Sequence, residues 1–268
     1  MNKKMLIKTL TALVMILCAL PPVILGGIPL ELLVGIIVCL AAVEISSLED
    51  GKRHWIFAVI IAVACELMIH IEPETVTFAL SAWLIFMFLC DIINQDMTTD
   101  RIAYTFIITT ILSLGMQCVL RIFEAGFNGL GLLFVCIACY MCDTGAYFVG
   151  SFFGKHRMVP ALSPHKTWEG AIGGYVVGVV CGLLFGFLVQ QRFAAVPLPD
   201  SMIIAGSLVL PAIAEIGDLS FSAIKRRWGI KDYGSIFPGH GGILDRVDSL
   251  LFCLMVFNGM MILWGILS

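Results

Sequence analysis

An all-α, polytopic bundle of membrane-spanning helices is the fold class this sequence predicts, and three observations predict it. Of 268 residues, 60% are hydrophobic and 13% charged, with a mean hydropathy of +1.01, whereas soluble domains carry about 25% charged residues. The apolar residues run on for about 20 positions at a time, the length a helix needs to cross hydrocarbon. Those runs lack the period-two alternation of a membrane barrel, and lipid admits only helices or closed barrels because it cannot satisfy loose backbone groups.

Nine windows follow in order, near residues 10–26, 29–46, 54–71, 75–93, 102–120, 128–149, 170–190, 201–221 and 243–267. Pro21, Pro22, Gly26, Gly27 and Pro29 between the first two favour a hairpin over one bent span. Lys3, Lys4 and Lys8 ahead of the first run resemble a secretory leader, but no small-x-small cleavage site follows, so an uncleaved first helix is expected. Nine alternating crossings from a cytoplasmic N-terminus leave Arg121 and Arg192 outside. The inside loops then hold Lys3, Lys4, Lys8, Lys52, Arg53, Arg101, Lys155, Arg157, Lys166, Lys225, Arg226, Arg227, Lys231 and Arg246. Fourteen of the sixteen basic residues on one side is the positive-inside bias, so count and orientation support each other. A multi-pass protein of the cell (inner) membrane follows, with its polar chemistry facing the cytoplasm.

The net charge of −3 says little here, since distribution along the membrane normal matters more, and no basic tail points to nucleic acid. Cys136, Cys139 and Cys142 invite a metal reading. A rotation of about 100° per residue spreads them around a helix and no His or carboxylate completes a site, so they read as packing residues.

Residues 1–125 read as an N-terminal scaffold of transmembrane helices and 126–268 as a C-terminal catalytic region. Within the scaffold, Glu44 and Asp91 fall near span ends and read as structural or interfacial, while Glu66 stays open as a functional suspect. The seventh span carries Gly170, Gly174, Gly178, Gly182 and Gly186, a bare ridge for close helix packing against this chain or a second copy.

From residue 140 onward three polar clusters stand at helix ends on the expected cytoplasmic face. They are Asp143-Thr-Gly-Ala-Tyr with Ser163-Pro-His-Lys-Thr-Trp-Glu-Gly170, then Glu215-Ile-Gly-Asp218, then Ser222 to Asp248. Asp245 and Asp248, three apart, share a helical face. Paired carboxylates there either cap the helix or share a cation, and hard oxygens suit Mg²⁺. Asp218 is a plausible third ligand and Asp143 a weaker one. Pro238-Gly-His-Gly-Gly242 precedes that helix, and glycine amides at a helix N-terminus form an anion cradle or merely a turn. Lys166, Lys225, Arg226, Lys231 and Arg246 supply cations for a phosphate, whereas Arg227 suits lipid anchoring. Asp218, Ser222 and Lys225 share one face. Ser163 with Lys166 suggests a helix start, and the roles of His165 and His240 stay open.

Ser222-x-x-Lys-Arg-x4-Lys-Asp followed by Pro-x-His-Gly-Gly-x-x-Asp-Arg-x-Asp248 resembles the hallmark motif of phosphatidate cytidylyltransferases, the CDP-diacylglycerol synthases. Asp143-Thr-Gly-Ala-Tyr, Ser163-Pro-x-Lys-Thr-x-Glu-Gly170 and Gly217-Asp218 resemble further blocks of that family in order. The resemblance implies transfer of CMP from CTP to phosphatidate, with release of pyrophosphate, by a homodimer with a cytoplasm-facing polar cavity. Mg²⁺ is the implied cofactor, with a monovalent cation a further candidate. It also implies a catalytic group of Asp218, Asp245, Lys225 and Arg246, with metal on Asp218 and Asp245 and Asp248 close by. Lys166, Ser222, Arg226, Lys231, His240, Gly241 and Gly242 are the expected substrate contacts. The alternatives are a CTP-dependent lipid-alcohol kinase, or a transporter, whose polar groups belong at mid-membrane.

Overall fold

The computed structural model describes residues 3–48, 51–94 and 98–266. Each of the nine apolar windows holds a helix: α1 (Lys3–Leu25), α2 (Gly27–Ser46), α3 (Trp55–His70), α4 (Val76–Asn94), α5 (Thr99–Ile122), α6 (Asn128–Phe153), α7 (Trp168–Phe185), α8 (Asp200–Arg227) and α9 (Leu244–Leu263). Six stretches are long and apolar enough to cross a membrane: Gly27–Ser46, Val76–Ile93, Thr99–Phe153, Trp168–Phe193, Asp200–Arg227 and Leu244–Leu263. The third of these contains both α5 and α6. A straight helix of 55 residues would be about 80 Å long, far beyond a core of about 30 Å, and the chain breaks at Gly126 and Asn128, where φ is +89° and +54°. The apolar stretches Thr9–Leu25 and Trp55–His70 are shorter than those six.

The all-α expectation needs one correction. A short antiparallel hairpin, β1 (Arg157–Val159) and β2 (Ser163–Thr167), stands between α6 and α7, with Arg157 opposite Thr167 and Val159 opposite Ser163. The segment read as a helix start is thus a strand. Pro164 disfavours helical backbone at Ser163, and the helix waits for Thr167, whose Oγ1 accepts from the Gly170 amide at 3.1 Å as an N-cap. Glu169, in the first turn of α7, then ties down the chain leaving α6. Its carboxylate accepts from the Lys155 and His156 amides at 3.1 and 3.2 Å and lies 2.5 Å from the His156 ring.

The glycine ridge of α7 packs within the chain. A Cβ built on Gly174 would lie 2.6 Å from the Cys142 carbonyl, on Gly178 2.9 Å from Pro211, and on Gly182 2.9 Å from Ser207 Oγ. Its neighbours are α6 and α8, which the ridge draws into backbone contact. On the opposite face Ile172, Val176, Val180, Leu184 and Leu188 are exposed, the outward side of a helix in lipid.

Two hydrophobic cores result. One joins Val38, Ile61, Met87 and Leu112 of α2 to α5 with Phe221 of α8 and Leu244, Val247 and Leu251 of α9. The other joins Leu30, Ile122, Phe134, Leu210 and Phe257. Each draws on residues from both sides of position 125, and α2, α5, α8 and α9 enter both. All ten cysteines are free; Cys139 and Cys142 are fully buried, and the Cys142 thiol donates to the Pro211 carbonyl at 3.4 Å. Glu66 lies 3.6 Å from His70 on α3 and lines neither of the cavities described next.

Candidate active site

The ends of α6, α8 and α2, the start of α9 and the hairpin meet at one end of the bundle. Two adjoining cavities open there. The smaller, about 540 Å³, is lined by Asp143 and Tyr147 of α6, Arg157, His165 and Lys166 of the hairpin, Glu215 and Asp218 of α8, and Asp245, Arg246 and Asp248 of α9. The larger, about 860 Å³, is lined by Lys231, Asp232, Phe237, His240 and Gly241 and by the same Asp143, Tyr147 and Arg246. Those three residues therefore stand at the junction.

An open charge centre occupies the smaller cavity. Lys166 Nζ lies 2.5 Å from Glu215 Oε2 and 2.7 Å from Asp218 Oδ2. The two carboxylates share a face because they are three apart on α8. Burial works against the Lys166 ammonium, yet the charges of Asp218 and Glu215 outweigh it and hold its pKa above the usual lysine value. Asp143 and Asp248 lie within electrostatic reach of Asp218. Asp143, Glu215, Asp218 and Asp248 line this cavity with the cations Arg157, Lys166 and Arg246, a small excess of negative charge that a cation would relieve. Among the described residues no three His, Cys, Asp or Glu side chains converge tightly enough to hold a metal by themselves.

A second, closed centre lies behind it. Lys225 Nζ donates to Asp245 Oδ1 at 2.8 Å, and Asp245 Oδ2 accepts from the Tyr233 and Gly242 amides at 2.8 and 2.9 Å. The Tyr233 ring covers Lys225 at 5.4 Å, and burial together with the charges of Asp245 and Asp248 pushes its phenol pKa up. Both oxygens of Asp245 are therefore engaged, so the expected metal ligand serves in this structure as the hub of a buried network.

Of the residues expected from sequence, Asp143, Lys166, Asp218, Lys231, His240, Gly241, Asp245, Arg246 and Asp248 line one or both cavities, while Ser222, Lys225, Arg226 and Gly242 line neither. Arg226, expected on phosphate, instead donates to the carbonyls of Leu162 and Ile230 at 3.0 and 2.9 Å, tying the hairpin to the loop after α8. The anion cradle also needs correction. The Gly242 amide goes to Asp245, and the Ile243 and Leu244 amides go to the Glu44 carboxylate at 2.8 and 3.0 Å. Three successive amides at the start of α9 are thus occupied by protein carboxylates.

Glu215, Tyr147 and Glu44 were not among the expected site residues. Glu215 was legible, because its three-residue spacing from Asp218 repeats that of Asp245 and Asp248. Glu44 reaches the site from 199 residues away in sequence, and no local pattern announces it.

The sequence matches the model for the cytidylyltransferase family over residues 6–264. A phosphatidate cytidylyltransferase of Staphylococcus epidermidis is 33% identical over 266 residues, covering 96% of this chain and 99% of that protein. One from Bacillus subtilis is 35% identical over 177 residues, covering 66% of this chain and 64% of its own, and one from Staphylococcus aureus is 30% identical over 266 residues, covering 96% and 99%. With a family model matched over nearly its whole length and relatives alike over 96% of it, the chain belongs to the cytidylyltransferase family, among the phosphatidate cytidylyltransferases.

Proposed function

We propose that this protein transfers CMP from CTP to phosphatidate, giving CDP-diacylglycerol and pyrophosphate. The observation that carries the reading is the junction of two cavities at Asp143, Tyr147 and Arg246, room for two anionic substrates side by side in a chain of this family. A phosphatidate oxygen attacks the α-phosphorus of CTP, a new O–P bond forms, and the bond to the β-phosphate oxygen breaks. Phosphatidate brings its own anionic nucleophile, so the chain needs no strong base. What it must supply is neutralisation and alignment of two anions and of the departing pyrophosphate. Arg246, at the junction, and Lys231 and Lys166, one in each cavity, are the cations in position to do so. Lys166 would exchange a carboxylate for a phosphate oxygen as substrate arrives.

The donor set fits Mg²⁺. Asp143, Asp218 and Asp248 present hard oxygens in a region of excess negative charge, and Mg²⁺ usually takes one or two carboxylates and completes its shell with water and substrate phosphate. That habit agrees with a cluster that closes no site alone. When bound, the ion would neutralise phosphate charge. Asp245 would join it only by releasing Lys225 or a backbone amide.

The same reading takes all nine helices as alternate crossings, with the site at the cytoplasmic face of the cell membrane and the acyl chains left in lipid. It assigns the chemistry to residues 126–268, from which every cavity-lining residue comes, and extends to the homodimer that the family resemblance implies.

Incubating the reconstituted protein with phosphatidate and CTP labelled at the α or the γ phosphate tests it. Lipid should take up α label alone. Uptake of γ label would instead identify a kinase, and no lipid labelling would overturn the transfer altogether.

A further inference from the structure

We propose that Glu44, in the last turn of α2, is a positioning residue for the reaction, anchoring the first turn of α9 so that Arg246 and Asp248 meet the substrates in register. The inference rests on the transfer reaction proposed above and adds a residue from the first five helices to its machinery.

Three observations carry it. The Glu44 side chain is buried, with the residue 3% exposed, and its two oxygens accept separately from the Ile243 and Leu244 amides. A carboxylate on the exposed amides of a helix start satisfies donors that have no partner inside the helix and complements the helix dipole. It therefore fixes both where α9 begins and how it is rotated. The next residues are Asp245, Arg246 and Asp248, all on the cavity walls.

The second observation is the glycine pattern. A Cβ on Gly242 would meet three atoms first, all from the Glu44 carboxyl group, at 2.3, 2.5 and 2.6 Å, and a Cβ on Gly234 would lie 2.6 Å from Glu44 Oε1. Gly242 does not have a positive φ, so its backbone conformation does not require glycine. Gly241 differs, since its φ of +86° and the nearby Asp245 carboxylate demand glycine independently. The second half of the Gly-Gly pair is thus explained by Glu44 alone.

Third, the other contacts that hold the turn leave the Ile243 and Leu244 amides to Glu44. Tyr140 of α6 donates to the Arg246 carbonyl at 3.0 Å, and Asp245 holds the Gly242 amide. Loss of Glu44 frees two adjacent amides in the turn that carries Arg246, and a misplacement of about 1 Å can lower turnover about a hundredfold.

A double-mutant cycle in the full chain tests this, with turnover referred to folded protein measured by gel filtration. Glu44→Ala and the near-isosteric Glu44→Gln should each lower kcat at least tenfold while KM for CTP changes less than threefold. Gly242→Ala should lower kcat similarly in the native background but less than twofold further in the Glu44→Ala background, because the clash is with Glu44. Amide hydrogen exchange over residues 242–248 gives a readout independent of the reaction, and Glu44→Gln should speed it at least tenfold. The proposal falls if both Glu44 variants keep kcat within twofold, if Gly242→Ala costs the same in both backgrounds, or if exchange is unchanged. A native chain that labels no lipid would instead defeat the transfer reaction, while the exchange result would still judge the anchor.

Discussion

Two lysine–carboxylate centres stand at the same end of this bundle, and they differ in what closes around them. At Lys225–Asp245 the side chains are 9% and 3% exposed, and two backbone amides complete the carboxylate. At Lys166 the partners are two carboxylates, Glu215 and Asp218, and Asp218 keeps 29% of its side chain exposed to the cavity. The first has both carboxylate oxygens engaged by the protein and resists exchange. The second carries more negative than positive charge and faces open space, the setting into which the proposed reaction would bring a cation and a phosphate. Similar residue pairs at similar distances are thus sealed by the protein in one place and left open to a cavity in the other.

Asp218→Asn separates the two most sharply. The amide is nearly isosteric, Lys166 keeps Glu215, and the cavity keeps its shape, so the protein should fold as before. CMP transfer should fall about 10²- to 10³-fold, the scale for deleting one preorganised electrostatic group. Activity within threefold of the native chain, measured with α-labelled CTP, would remove Asp218 from the machinery and erase the contrast.

Asp245→Asn should act the other way round. It leaves the Lys225 ammonium, 9% exposed, without its anion, and breaking a buried pair destabilises by about 3–5 kcal/mol. The expected result is a clear drop in thermal stability in detergent, with turnover per folded molecule falling less than in Asp218→Asn. A variant as stable as the native protein yet inactive would move Asp245 into the reacting group and make both centres catalytic.

The sequence made some of this legible and concealed the rest for physical reasons. Nine apolar windows became nine helices because hydrophobic runs are long-range in no respect; each window needs only its own residues. The Gly170 to Gly186 ridge likewise announced close packing, though only the structure shows α6 and α8 of the same chain against it. The hairpin went unseen, since β1 and β2 are three and five residues long and their pairing depends on neighbours. Asp218, Lys166 and Arg246, picked out by residue type, do line one cavity. Their partners were not readable, because Lys225 meets Asp245 across 20 residues and Lys166 meets Glu215 across 49. Motif spacing shows which groups gather, and the hydrogen bonds decide which of them are still free.

The smallest expected effect concerns pH, and it probes the open centre directly. The folded-state pKa of Lys166 lies above its usual value because Asp218 and Glu215 outweigh the penalty of burial. A raised pKa means that the stabilisation from this ammonium is complete below the unfolded value of about 10.4 and is lost only as pH rises through the folded value. Lys166 should therefore stay charged throughout pH 6–9. Lys166→Arg supplies a reference, because guanidinium does not titrate in that window. The change itself should lower activity, since a planar fork replaces a point charge between two carboxylates, but the ratio of native to variant rates should stay constant within twofold from pH 6 to 9. A ratio that falls toward pH 9 would mean the native ammonium is losing its proton there. In that case the two carboxylates do not hold Lys166 as tightly as their distances of 2.5 and 2.7 Å require.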